Sequence, residues 1–168
     1  MASCTIKAGD DWARKLSQLG AQADAVAARA VAKGAGIVAD KIRSNLAALR
    51  EDFNPSKRPY HYLVGDEKYT GIPDYQKQDL LDSLGVTPIK VDENGVINAK
   101  IGFDGYGSQP TVKYPQGLPN PLAARTTESG SSVRPKQPFI RPAMQASKKK
   151  ATEAMQEVID AAIADTMK

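Results

Sequence analysis

An apolar row near the N-terminus constrains this chain more than any other feature. Trp12, Leu16, Leu19, Ala23, Val26 and Ala30 recur at intervals of four and three, the spacing that gathers side chains on one face of an α-helix. A second row, Val38, Ile42, Leu46 and Leu49, follows about one residue out of phase. Gly34 and Gly36 lie between the rows, and each glycine costs roughly 1 kcal/mol against alanine inside a helix. No Pro, Asn or Asp adjoins them, so the pattern predicts one long helix from about Asp10 to Arg50 rather than two. Asp10 and Asp11 suit its first turn, where carboxylates meet free backbone N–H groups. The alanine-rich surroundings of Gly34 and Gly36 predict close helix packing there.

A helix of this kind needs a core to lie on. The chain has 168 residues, 41% hydrophobic and 25% charged, which suits one folded domain over residues 1–168 and excludes a disordered composition. Aromatic residues make up only 6%, so the expected core is thin and helix-rich and leans on neighbours. No apolar run approaches the roughly 20 residues that span a bilayer, and Met1 to Trp12 lacks a signal-peptide core. The single cysteine, Cys4, excludes a disulfide within the chain. The single histidine, His61, leaves no basis for a His/Cys zinc site or a His-based catalytic arrangement.

The zone from Phe53 to Gln137 holds every proline except Pro138 and Pro142. Asn54-Pro55 and Arg58-Pro59 stop the first helix, and an extended loop is expected as far as Tyr75. Asp79 to Leu84 reads either as a short helical turn or as the entry to a strand. Strands are expected over Leu84–Val91 and Val96–Phe103, joined by Asp92-Glu93-Asn94-Gly95, whose Asn-Gly pair supplies a tight turn. Gly105 to Pro121 has room for one short strand near Thr111–Tyr114. A brief helix over Leu122–Thr127 and a mobile loop over Ser129–Pro138 complete the zone. In the last zone Pro142 fits the first position of a helix. Its apolar stripe runs through Ala151, Met155, Val158 and Ala162, with Ile159, Ile163 and Met167 beside it.

Charge is uneven along the chain. The net charge is +4, yet Ser131 to Lys150 carries Arg134, Lys136, Arg141, Lys148, Lys149 and Lys150 and no acid. The remainder of the last helix is acidic through Glu153, Glu157, Asp160 and Asp165. A basic start and an acidic end oppose the helix dipole. That polarity suits a partner, either DNA or an acidic protein surface, and suits an ordinary solvated face equally well. Gly102-Phe103-Asp104-Gly105-Tyr106-Gly107 is glycine-rich, but no Gly-Lys-Ser/Thr follows it, so it is a strand end and not a phosphate cradle. Asp66, Glu67, Lys68, Asp74 and Lys77 have the residue types of a metal-dependent nuclease. They fall in a predicted loop with no strand pair to hold them, so catalysis is not expected. The expected cofactor set is empty.

The order of these elements resembles a known family. A long N-terminal helix leads through Thr70-Gly71 to Asp79-Leu80-Leu81-Asp82-Ser83-Leu84, then to two strands ending in Ile101-Gly102-Phe103. Asn120-Pro121-Leu122-Ala123, Glu128-Ser129-Gly130-Ser131 and Gln137-Pro138-Phe139-Ile140-Arg141-Pro142-Ala143 follow, before a charged last helix. This is similar to the tail-completion, or head–tail joining, proteins of long-tailed double-stranded DNA bacteriophages, often described as minor tail components. The resemblance runs over about residues 10 to 168, and the Pro-Phe-Ile-Arg-Pro-Ala segment is its most specific part. Thr127 and Ser129 stand where the family usually has a hydrophobic or aromatic neighbour to the Glu-x-Gly element, and the stretch from Tyr60 to Tyr75 and the loop from Tyr106 to Asn120 are longer than typical, so loop contacts are not carried over.

The resemblance implies an α+β fold: a small antiparallel β-sheet flanked by a long N-terminal helix and a C-terminal helix, with a long Pro/Gly-rich loop. It implies a non-enzymatic virion protein, assembled in the host cytoplasm, that forms a homo-oligomeric ring, sixfold like the tail, at the neck. Its partners would be a head-side connector or stopper protein and a tail-tube or tail-terminator protein, with double-stranded DNA passing through the lumen and no membrane. On that picture Pro138, Phe139, Ile140, Arg141 and Pro142 form an anchor that docks on the sheet or on the next subunit. Lys148, Lys149 and Lys150 line the DNA passage, and the loop from Tyr106 to Pro138 orders on assembly along a neighbour. The alternative function is a basic DNA-binding accessory protein in packaging or regulation.

Overall fold

The computed structural model describes residues 10–51, 70–132 and 134–168. Cys4, His61, Asp66, Glu67, Lys68 and the Asn54-Pro55 and Arg58-Pro59 pairs lie outside the described residues. The fold is α+β, with a long N-terminal and a long C-terminal helix and two small two-stranded antiparallel sheets. No helix among the described residues is long and apolar enough to cross a membrane.

The first helix, α1 (Asp10–Ala47), is continuous over 38 residues, a rod of about 57 Å at 1.5 Å per residue. The last, α4 (Ile140–Met167), has 28 residues and runs about 42 Å. The two pack antiparallel. Asn45 Nδ2 donates to the Phe139 carbonyl at 3.2 Å near one end of the pair, and Lys15 Nζ donates to the Met167 carbonyl at 3.3 Å near the other. Between them Gly34 lies against α4: a Cβ there would stand 2.6 Å from Met155 Sδ. Close packing therefore explains Gly34, whereas a Cβ on Gly36 would meet nothing within 4 Å.

The phase difference between the two apolar rows has a structural cause. Val26, Ala30 and Gly34 are buried in the stretch beside α4, while Ile42 and Leu46 belong to the main core. Twelve residues separate Ala30 from Ile42, which at about 100° per residue turns the buried face by about 120°. One helix thus serves two partners on two faces.

The short elements fill the other side of that core. Helix α2 (Asp74–Ser83) starts directly after Pro73, well before the expected turn at Asp79, and replaces the end of the expected loop. Its first six residues are polar or aromatic, so periodicity carries no signal there. Buried Leu80 and Gln76 seat it, and Lys77 Nζ binds the Leu49 carbonyl at 3.2 Å and Glu51 at 2.8 Å. Strand β1 (Leu84–Val86) pairs with β4 (Ile101–Phe103), and β2 (Lys90–Val91) pairs with β3 (Ile97–Asn98). The expected continuous strands Leu84–Val91 and Val96–Phe103 are each interrupted. From the Val86–Ile101 pair to the Lys90–Asn98 pair the first strand advances four residues and the second three. The first strand thus has one residue more in the gap between the two sheets, and that gap contains Pro88, which has no N–H to give a ladder. The turn at Asp92–Gly95 forms as expected, with Gly95 at φ 78°.

Helix α3 (Asn120–Ser129) extends the expected Leu122–Thr127 helix at both ends, with Pro119 before it and Gly130 at φ 78° after it. The segment 104–119 contains no strand near Thr111–Tyr114. Those two residues exchange backbone hydrogen bonds of 2.9 and 3.1 Å across a tight turn. The base of the loop is tied to α2, where Asp79 accepts from the Ser108 N–H at 2.8 Å and hydroxyl at 3.1 Å. At its neck a Cβ on Gly117, at φ 96°, would come within 1.9 Å of the Gly107 carbonyl oxygen. The stretch read as a mobile loop, Ser129–Pro138, carries tethers of its own. Arg134 Nη1 binds Gln76 Oε1 at 2.6 Å and the Gln137 N–H binds the Thr127 carbonyl at 2.9 Å.

Candidate functional site

The segment singled out as the anchor lies where α3, β4 and the start of α4 meet. Phe139 is fully buried in the chain's own core beside Ile42, Leu46 and Leu80. Its ring meets Phe103 of β4 edge-on, with centroids 5.9 Å apart and planes at 69°, a favoured aromatic geometry. Of the two docking places expected for it, the sheet is the one occupied. Phe139 is therefore an internal anchor and not a subunit contact. Ile140 is half-buried against the same core, while Pro138, Arg141 and Pro142 are exposed. Helix α4 begins at Ile140, two residues before Pro142.

The early start has a specific cause. A helix opens with backbone N–H groups that lack intrahelical partners. Phe139, in the cap position, has no side-chain acceptor to offer them. Glu128, from the last turn of α3, supplies one: its carboxylate accepts from the N–H groups of Phe139 at 2.7 Å, Ile140 at 2.8 Å and Arg141 at 3.1 Å. Burial pushes the Glu128 carboxyl up, but these three donors and the nearby Arg141 charge outweigh it and hold the group below its ordinary value. Gly130 then turns the chain sharply away; a Cβ there would press to 3.1 Å from the Lys136 nitrogen. The Glu-x-Gly element is thus a remote cap followed by the turn that brings the capped helix back to it. The capping role of Glu128 escaped sequence reasoning. The available signal was negative: no Ser, Thr, Asp or Asn precedes the helix at Gln137-Pro138-Phe139.

Beside this joint is an open groove of about 520 Å³, with Arg125 and Arg141 on its rim and Phe103, Pro121, Ala124 and Ile140 among its lining. Neither arginine forms an ion pair among the described residues.

Lys148, Lys149 and Lys150 are all exposed on α4. Three consecutive helical residues fan over about 200°, so they do not line one surface, and Lys149 stands 3.8 Å from Glu153. The basic stretch is further divided because Arg134 is engaged with Gln76 and Thr127 inside the chain. Of the nuclease-type residues that are described, Asp74 opens α2 and Lys77 braces α2 against the end of α1.

A further apolar surface lies at the far end of the helix pair. Trp12 is 57% exposed and Leu16 52%, with Ile163 of α4 at 39%. Trp12 and Leu16 continue the stripe that is buried at Val26 and Ala30. Near them the helices leave a groove of about 400 Å³ bordered by Gln22, Arg29, Val158 and Ala162.

No family model, no curated protein and no solved structure matches the chain.

Proposed function

We propose that this chain is a non-enzymatic structural protein of a bacteriophage virion. It forms a ring at the neck or tail end, joins the head connector to the tail tube and leaves a lumen for DNA. The observation that carries the reading is the apolar stripe of α1, which is buried at Val26 and Ala30 and then continues into solvent through Leu16 and Trp12. Large apolar side chains aligned in one row on a rigid rod are a surface built for a protein neighbour. The resemblance carried by the Pro-Phe-Ile-Arg-Pro-Ala segment supplies the kind of assembly. The charge pattern suits passage rather than capture: lysines that point several ways give DNA a modest, salt-sensitive attraction.

Electron microscopy of the purified chain, alone and mixed with tail tubes, tests the proposal. Rings that grow with protein concentration and cap the tubes are expected, together with little affinity for free DNA at physiological salt. A chain that stays single, leaves tubes bare and binds DNA tightly with a steep salt slope would instead make it a DNA-binding accessory protein.

A further inference from the structure

We propose that the tip of the β-hairpin of one copy seats in the groove beside the α4 cap of the next copy. The inference rests on the ring reading above and names a contact between neighbouring copies beside that of the α1 stripe.

The two surfaces are complementary in charge and in apolar character. The groove has an apolar lining of Phe103, Pro121, Ala124 and Ile140 between the exposed guanidinium groups of Arg125 and Arg141. Its one acid, Glu128, turns its oxygens toward the N–H groups of α4 and lies near Arg141, so Arg125 is the arginine left to meet an acidic ligand. Such a groove fits a ligand that is acidic at its end and apolar on its flanks. The hairpin tip has that composition. Asp92 and Glu93 occupy the turn, between Val91, 61% exposed, and Val96, 55% exposed. Lys90 and Lys100 are set back along the stem.

The tip is also held in shape before it binds. Asp92 Oδ1 accepts from the Asn94 N–H at 2.9 Å and the Val96 N–H at 2.8 Å. Glu93 forms no ion pair among the described residues. A preformed knob loses little freedom on docking.

The same chain cannot fill its own groove with its own tip. Phe103 lines the groove at the root of the hairpin, and Val96 lies seven residues away along the strand, about 23 Å when extended. The knob of one copy must therefore enter the groove of another. Two different surfaces meeting in this way give a head-to-tail contact, which closes into a ring when the rotation per step divides the circle.

A charge exchange tests the contact by sedimentation of the full-length chain across a concentration series. Arg125→Glu is expected to weaken self-association about tenfold, and adding Glu93→Arg to the same chain is expected to restore it. Both positions are exposed, so far-UV circular dichroism should stay unchanged. A second measurement uses Glu93→Cys with Arg125→Cys in a Cys4→Ser background. A short bismaleimide cross-linker, which spans the gap left by the two long side chains, is expected to give a ladder of linked chains. If the wild type forms rings while Arg125→Glu has no effect and the cysteine variant stays unlinked, this contact is wrong and the ring reading stands. If Arg125→Glu weakens rings and Glu93→Arg fails to restore them, Glu93 is not its partner and the contact is overturned. A wild type that never associates, with or without tail tubes, removes the ring reading itself.

Discussion

The two ends of α1 are the same helix in different surroundings. At its C-terminal end Leu46 is fully buried among Ile72, Leu80, Phe139 and Ala143. At its N-terminal end Leu16 sits on an equally regular apolar row and is half exposed. Composition and periodicity do not separate these leucines; the number of elements around them does. The head end is enclosed by α2, α3, the strands and α4, whereas the tip has α4 alone, and one helix covers only a narrow strip of another. Apolar periodicity therefore reports that a face wants a partner without saying whether the chain itself supplies it.

Substitutions at the two ends test that contrast. The largest effect is expected from Phe139→Ala, which empties the centre of the head and should cost about 4 kcal/mol in urea unfolding. Leu46→Ala should cost about 3 kcal/mol by the same measurement. The identical change at the other end, Leu16→Ala, is expected to cost under about 0.5 kcal/mol in the monomer while weakening self-association. Equal costs at the two leucines would show that the tip is already enclosed.

Between these extremes lie two changes at the joints. Glu128→Gln removes the charge from the cap of α4 and should cost about 2 kcal/mol near neutral pH. Because the folded carboxyl titrates below its ordinary value of 4.5, its contribution is present above that value. It is lost as the pH falls through the lower, folded-state value, where both states are protonated. Acid unfolding of Glu128→Gln should accordingly lack that part of the wild-type pH dependence. Gly34→Val is expected to cost about 2 kcal/mol by overpacking against Met155 and to loosen the helix pair without disturbing the head, which hydrogen exchange would resolve region by region.

Legibility in the sequence followed how local the determining physics is. The single long helix and the Asp92–Gly95 turn rest on local spacings, and both were readable; the stripe of α4 was not, because the residues it buries are Ala143, Ser147, Ala151 and Ala154, while Met155, Val158 and Ala162 are half-buried and Ile163 is exposed. The break in the two strands was half readable: Pro88 is visible, but the one-residue slip that isolates it depends on the opposite strand. Helix α2 was shortened because its first turns are polar and its support comes from Pro73 and from Lys77 reaching back to the end of α1. The anchor was recognised as one, yet whether Phe139 would dock at home or abroad was decided by Phe103, 36 positions earlier in the chain. The Glu128 cap was hidden for the same reason, since donors and acceptor stand 11 to 13 residues apart.

The antiparallel pairing of α1 with α4 also sets an order of events during synthesis. Helix α1 is made well before the helix that covers its middle, so Val26, Ala30 and Gly34 are not sheathed until α4 has followed. The small unit of α3 and the cap, with donors and acceptor 11 to 13 residues apart, closes at the first turn of that same covering helix. The rod is thus written long before its cover and is sheathed only when that cover arrives.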